Sequence, residues 1–110
     1  MSIVKESFVE QQVKNYVDRI GGLAIKLGNS GVRGWPDQLF LLPNGRPLFI
    51  EFKRPDVSKG RKLQVYRIER LCALGFPAHL VNSVEKGIEI VNFYNNQAGM
   101  DTALIPKTWH

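Results

Sequence analysis

Thirteen residues separate Asp37 from Glu51, and Glu51 stands two positions before Lys53. Pro36-Asp37 opens an apolar run, Asp37-Gln-Leu-Phe-Leu-Leu42. Glu51-Phe52-Lys53 closes a second, Pro47-Leu-Phe-Ile-Glu-Phe-Lys53. Unpaired charge is costly in so apolar a setting, so these residues need partners. Two carboxylates and a lysine delivered by neighbouring strands suit a hard divalent cation and a reacting phosphate. Phosphodiester hydrolysis needs an activated water, neutralisation of charge on phosphorus and help for the leaving oxygen. Mg²⁺ supports the first two and can assist the third. It takes oxygen ligands at roughly 2.0–2.1 Å and keeps several waters, so two or three carboxylates suffice. Asp37 and Glu51 are the expected ligands, with the backbone carbonyl of Phe52 as a further one. Lys53 would orient the attacking water or stabilise negative charge. From spacing alone, a salt-bridge cluster of Lys53 with Glu51 and Asp37, without metal, stays open.

Whether the carboxylates cooperate depends on the hairpin between them. Asp37–Leu42 and Pro47–Lys53 read as strands joined by Pro43-Asn44-Gly45-Arg46. A two-residue Asn-Gly turn would set Asp37 opposite Phe52 and point the two acids to opposite faces. A three-residue loop places Pro43 at the first central position of a type I turn and Gly45 in a left-handed G1 bulge. That register pairs Leu42 with Arg46 and sets Asp37 opposite Glu51, roughly 5 Å apart between Cβ atoms. The fixed φ of proline favours the second arrangement. Strand alternation then gives Phe49, Glu51 and Lys53 one face and Leu48, Ile50 and Phe52 the other. Both faces are apolar enough to expect helices on each.

The remaining pattern supplies those helices. Val9, Val13, Tyr16, Val17 and Ile20 form a helical stripe over about Ser7–Ile20, stopped by Gly21-Gly22. Ser7 with Glu10 reads as a capping box; Glu10 also borders the inward stripe, so capping and a site role compete for one carboxylate. Leu23–Leu27 is a short strand. The glycine-rich loop 28–34 would let backbone N–H groups approach phosphates, with Lys26 and Arg33 beside it, or it is a plain connector. A helix over about Arg61–Leu74, ended by Gly75, carries Gln64 on its inward side, near where the strand delivers Lys53. Pro77–Asn82 is a fourth strand, parallel to the third by a right-handed crossover. A last helix, capped by Ser83 or Asn82, carries Val84, Ile88, Val91 and Tyr94. His79 is expected as a strand residue at the sheet margin and Cys72 as a small buried core residue. The order is α-β-β-β-α-β-α, an α/β domain with a mixed four-stranded sheet flanked by helices on both sides.

Bulk properties fit this frame. The 110 residues make one domain, with a core over about 7–94 and a tail or arm over 95–110, where Trp109 hints at docking. A net charge of +5 favours polyanions, nucleic acid first, and Arg54, Lys59, Arg61, Lys62, Arg67 and Arg70 all follow closely on Glu51-Phe52-Lys53. Arg54, Lys59, Arg61 and Lys62, with Lys26 and Arg33, are therefore candidate nucleic-acid contacts, while Arg67 and Arg70 read equally as a solvated helix face. One cysteine excludes an internal disulfide, and no Cys/His cluster suggests zinc. No apolar stretch approaches the ~20 residues that span a bilayer, and the start lacks a signal-peptide pattern. A cytoplasmic protein without membrane partners or a small-molecule cofactor is expected.

With Glu10, Gly34-Trp35-Pro36-Asp37, Glu51-Phe52-Lys53 and Gln64 in this order, the chain resembles the PD-(D/E)XK nuclease superfamily. More narrowly, it resembles a stand-alone VRR-NUC (virus-type replication-repair nuclease) domain, approximately from Ser7 to Asn92. The resemblance implies a metal-dependent endonuclease acting on structured or branched DNA, such as a Holliday junction, and encoded by a bacterium or phage. It implies that Asp37 and Glu51 bind Mg²⁺ or Mn²⁺, that Lys53 is the catalytic lysine, and that Glu10 and Gln64 support the site, Glu10 as a possible ligand. Small members of the family are often homodimers. The alternatives are a non-catalytic structured-DNA-binding module on the same fold and an endonuclease that acts on RNA or nicks duplex DNA.

Overall fold

The computed structural model describes residues 4–28 and 33–99. Its elements run α1 (Glu6–Arg19), β1 (Leu23–Lys26), β2 (Gln38–Leu41), β3 (Pro47–Phe52), α2 (Lys62–Ala73), β4 (Ala78–Val81) and α3 (Val84–Asn95). The αβββαβα order and the mixed four-stranded sheet are those read from the sequence. The strands lie in chain order, β1-β2-β3-β4, antiparallel except for the parallel β3–β4 pair.

The hairpin adopts the three-residue loop. Leu42 N–H donates to the Arg46 carbonyl and Gly45 N–H to the Leu42 carbonyl, both at 2.9 Å. Gly45 has φ +87°, the left-handed conformation that a side chain would strain. Gln38 consequently pairs with Ile50 and Leu41 with Pro47, and one step further Asp37 stands opposite Glu51.

One sheet face builds the core. Phe40, Leu42, Leu48, Ile50, Phe52 and Val81 meet Val9, Val13 and Val17 of α1 and Val91 of α3, all buried. α1 and α3 pack against each other under this face; α2 packs on the other side against β4. The expectation of full cover on both faces fails there. α2 spans only the β3–β4 half, so Leu23, Ile25 and Leu41 at the β1–β2 end are 64%, 41% and 38% exposed.

Two further expectations change. α1 begins a residue earlier than Ser7: Lys5 occupies the N-cap without a side-chain hydrogen bond, so there is no capping box and Glu10 is free for other contacts. Cys72 is exposed, not core: Leu71, its neighbour, takes the buried position of α2, and the ~100° step of a helix turns Cys72 outward. α2 ends as expected at Gly75, where Phe76 N–H reaches Leu71 O at 2.9 Å and Gly75 N–H reaches Cys72 O at 3.0 Å, the Schellman pattern. Ser83 caps α3 through Lys86 N–H at 3.1 Å. His79 lies on β4, half-buried, its Nε2 2.7 Å from the Tyr94 hydroxyl. Residues 97–98 turn back onto the hairpin, where Arg46 Nε donates to Ala98 O at 2.9 Å and Asn44 Nδ2 donates to Tyr94 O and Gln97 O. Trp109 and most of the tail, like residues 29–32 of the glycine loop, lie outside the described residues.

Candidate active site

Four segments converge at one end of the β2–β3 pair. Pro36 is buried and leads directly into Asp37. Gly34, at φ +81°, passes so close to Leu63 that any Cβ there would collide with it. A glycine at this point lets the loop before β2 lie against the first turn of α2, and that turn carries Gln64.

Asp37 and Glu51 are locked from both sides. Asp37 Oδ2 accepts from the N–H of Phe52 at 2.7 Å, which fixes its rotamer and leaves its second oxygen for another partner. Glu51 is only 2% exposed. Its Oε2 accepts from Gln64 Nε2 at 2.8 Å and lies 3.3 Å from Lys53 Nζ. Gln64 uses its other end as well: Oε1 accepts the N–H of Arg61 at 2.9 Å, so the amide ties the start of α2 to β3.

The first-helix carboxylate that reaches this group is Glu6. Among the described residues, Glu6, Asp37 and Glu51 each offer a carboxylate oxygen within 4.8 Å of the others. Glu10, one turn further along α1, lies outside that group. Its Oε2 accepts from Lys26 Nζ at 2.7 Å and from Gln38 Nε2 at 2.6 Å. The sequence signal for Glu6 is its position four residues before Glu10 on the same helical face, a signal that a cap at Ser7 hides.

Electrostatics single out the same carboxylates. Burial pushes the Glu51 carboxyl up to about 7; neighbouring Asp37 adds to the rise, Lys53 opposes it, and Glu6 adds further. The Asp37 carboxyl is raised by burial, against the pull of the Phe52 N–H, with Glu10 and Glu6 adding to the rise and Lys26 opposing it. Carboxylates held together above their ordinary range are short of positive charge. An all-oxygen donor set in that condition fits a hard divalent cation such as Mg²⁺ or Mn²⁺.

A cavity of about 340 Å³ opens over this centre, lined by Gly28, Arg33, Gly34, Trp35, Asp37, Glu51 and Gln64. Of the cations expected to contact nucleic acid, Arg33 lines this cavity, whereas Lys26 is paired with Glu10. Arg54, Lys59, Arg61 and Lys62 are exposed, with Arg54 3.3 Å from Asp56. Arg67 is not a solvated residue: its guanidinium lies over the Trp35 ring, 5.3 Å from the centroid.

This arrangement has close relatives. A solved structure described as a VRR_NUC domain superposes with a TM-score of 0.75 at 31% identity, over 83% of this chain and 98% of that one. A second, a VRR_NUC domain protein, gives 0.73 at 23% identity, over 92% and 96%; at that identity it speaks for the fold alone. Putative nuclease p44 of Acyrthosiphon pisum secondary endosymbiont phage 1 is 37% identical over 83 residues, 76% of this chain and 88% of its own length. No protein-family model matches the sequence. The fold and these relatives place the chain in the VRR-NUC family, a family of nucleases.

Proposed function

We propose that the protein is a divalent-metal-dependent DNA endonuclease that cuts branched or junction DNA as a homodimer. The observation that carries this reading is the meeting of three carboxylates, Glu6, Asp37 and Glu51, of which Asp37 and Glu51 line an open cavity and Glu51 is paired with the Lys53 ammonium. Asp37 and Glu51 would hold Mg²⁺ or Mn²⁺, with Glu6 as the carboxylate from α1 and the Phe52 carbonyl as a further candidate. A cation held there would supply charge neutralisation and water activation. The protein's own groups do the rest. Lys53 presents an ammonium to the attacking water or to charge developing on the phosphate. Gln64 steadies Glu51, and Glu10 with Lys26 balances charge next to Asp37. Arg33, Arg54, Lys59, Arg61 and Lys62 supply positive charge around the cavity for the phosphate backbone.

The dimer reading is supported by the uncovered sheet face. Leu23 pairs with Leu41 and Ile25 with Leu39, so their side chains form one apolar patch, on the same face as Asp37. A second copy seated there would bring two sites to one side of the assembly, as a roughly two-fold junction requires.

Incubation of the purified protein with linear duplex, flap, four-way junction and RNA, with Mg²⁺ or with EDTA, tests the reading. Cleavage of branched DNA is expected with Mg²⁺ only. Asp37→Asn and Lys53→Ala should lower it by roughly 10²-fold or more, and Glu6→Gln should weaken Mg²⁺ binding by calorimetry more than Glu10→Gln does. Full activity in EDTA, or in Asp37→Asn, would refute it.

A further inference from the structure

Trp35 has no part in metal or proton chemistry, yet it lines the same cavity as Asp37, Glu51 and Gln64. It is held there with unusual thoroughness. Pro36, fully buried, ties it to Asp37 two residues on. Arg67 from α2 covers one face of the indole at 5.3 Å, and the guanidinium Nε makes no hydrogen bond, so this end of the arginine is committed to the ring. Phe49 of β3 lies against Trp35 at 6.4 Å between centroids, tilted 33°, and is met in turn edge-on by Phe76. Aromatic packing from β3 and from the turn before β4, together with a cation, thus fixes a half-buried indole beside a carboxylate centre, where the rest of the lining is glycine, charge and the Gln64 amide.

A flat, rigid, sequence-tolerant π surface beside phosphate chemistry is what a nucleobase stacks on. A base inside an intact duplex is already stacked and paired and does not reach such a wall; a base released from its partner does. We propose that Trp35 is the stacking platform for an unpaired base next to the bond that is cut, so that the site selects DNA strands opened at that position. This rests on the nuclease reading above and gives it a substrate feature: strand opening at the cut, in place of sequence. Arg67 and Phe49 are positioning residues that keep the indole in place.

The test has a cleavage arm and a binding arm. In the first, wild type, Trp35→Ala and Trp35→Phe are compared on a branched DNA carrying an abasic nucleotide in turn at each position around the cut. In wild type, loss of the stacked base should cut kcat/KM roughly ten-fold, the factor that corresponds to about 1.4 kcal/mol and lies within the range for base–aromatic stacking. Trp35→Ala should lose a similar factor on the intact substrate and nothing further on the abasic one, and Trp35→Phe should recover most of it. Equal losses by Trp35→Ala on intact and abasic substrates would mark a purely structural role and overturn the proposal, as would no loss at all. In the second arm, a Trp109→Phe/Lys53→Ala protein, in which Trp35 is the sole tryptophan, is titrated in Mg²⁺ with single-stranded oligonucleotide. Saturable quenching of its emission is expected; binding seen by anisotropy without quenching would overturn the proposal. Quenching in the absence of wild-type cleavage on any substrate would support the platform and refute the nuclease reading alone.

Discussion

Glu51 concentrates the chemistry of the site in one side chain: buried, paired with Lys53 and Gln64, and raised from 4.5 to about 7. A carboxyl raised on folding holds its proton in the folded state at pH values where the unfolded chain has released it. Its contribution to stability is therefore fully present below about pH 4.5 and is lost as pH rises through about 7. At 1.36 kcal/mol per unit, the metal-free protein should lose up to about 3 kcal/mol on this account between pH 4.5 and 8. His79, lowered by burial, works in the opposite sense below its unfolded value near 6.5. The clean measurement is thus the stability difference between wild type and Glu51→Gln in EDTA, by urea unfolding at pH 5 and pH 8. Wild type should fall relative to the variant as pH rises; a constant difference would contradict the electrostatic picture. Asp37, Glu51, Lys53 and Gln64 were legible because strand alternation and helical spacing are short-range rules. Glu6 was not, because a capping signal at Ser7 outweighed it, and here tertiary packing of Val9, Val13 and Val17 sets the helix start instead. Cys72 misled in the same way: composition favours burial, but the helix phase assigns that position to Leu71.

Among the elements, the hairpin and the α1–α3 pair set the geometry. The choice between two turn types was visible in Pro43-Asn44-Gly45, and the observed register follows it. The uneven cover of the sheet was not visible, since the reach of α2 across the strands depends on its docking against β4. The α1–α3 contact is tight: a Cβ at Gly87 would sit 2.5 Å from Val13 Cγ2. Val13 is buried and β-branched, so it has little room to turn away. Gly87→Ala should therefore cost about 1–3 kcal/mol, the range for overpacking, seen as a drop in melting temperature. Because α1 carries Glu6, the same variant should bind Mg²⁺ more weakly in calorimetry. An unchanged melting temperature would mean that the two helices slide apart freely.

At the scale of the whole molecule, Arg33 of the basic surplus lines the cavity, and Leu23, Ile25 and Leu41 form an exposed apolar patch that no helix covers. The patch sets the expected assembly. Light scattering should give a dimer for wild type and a monomer for a Leu23→Lys/Leu41→Lys variant, with melting temperature little changed because both side chains are already exposed. A monomeric wild type would remove the two-fold argument for junctions. Charge balance could be read from the sequence alone, whereas the patch could not, because it exists only where a helix fails to reach.

Glu6, Asp37 and Glu51 come from the start of the first helix, the entrance to the second strand and the end of the third. No short fragment of the chain holds all three: the hairpin brings Asp37 and Glu51 together, and Glu6 joins them only where α1 is docked beside it. On the reading proposed above, a copy whose first helix has not docked holds an incomplete donor set, so the armed centre is a product of the finished domain and of no part of it.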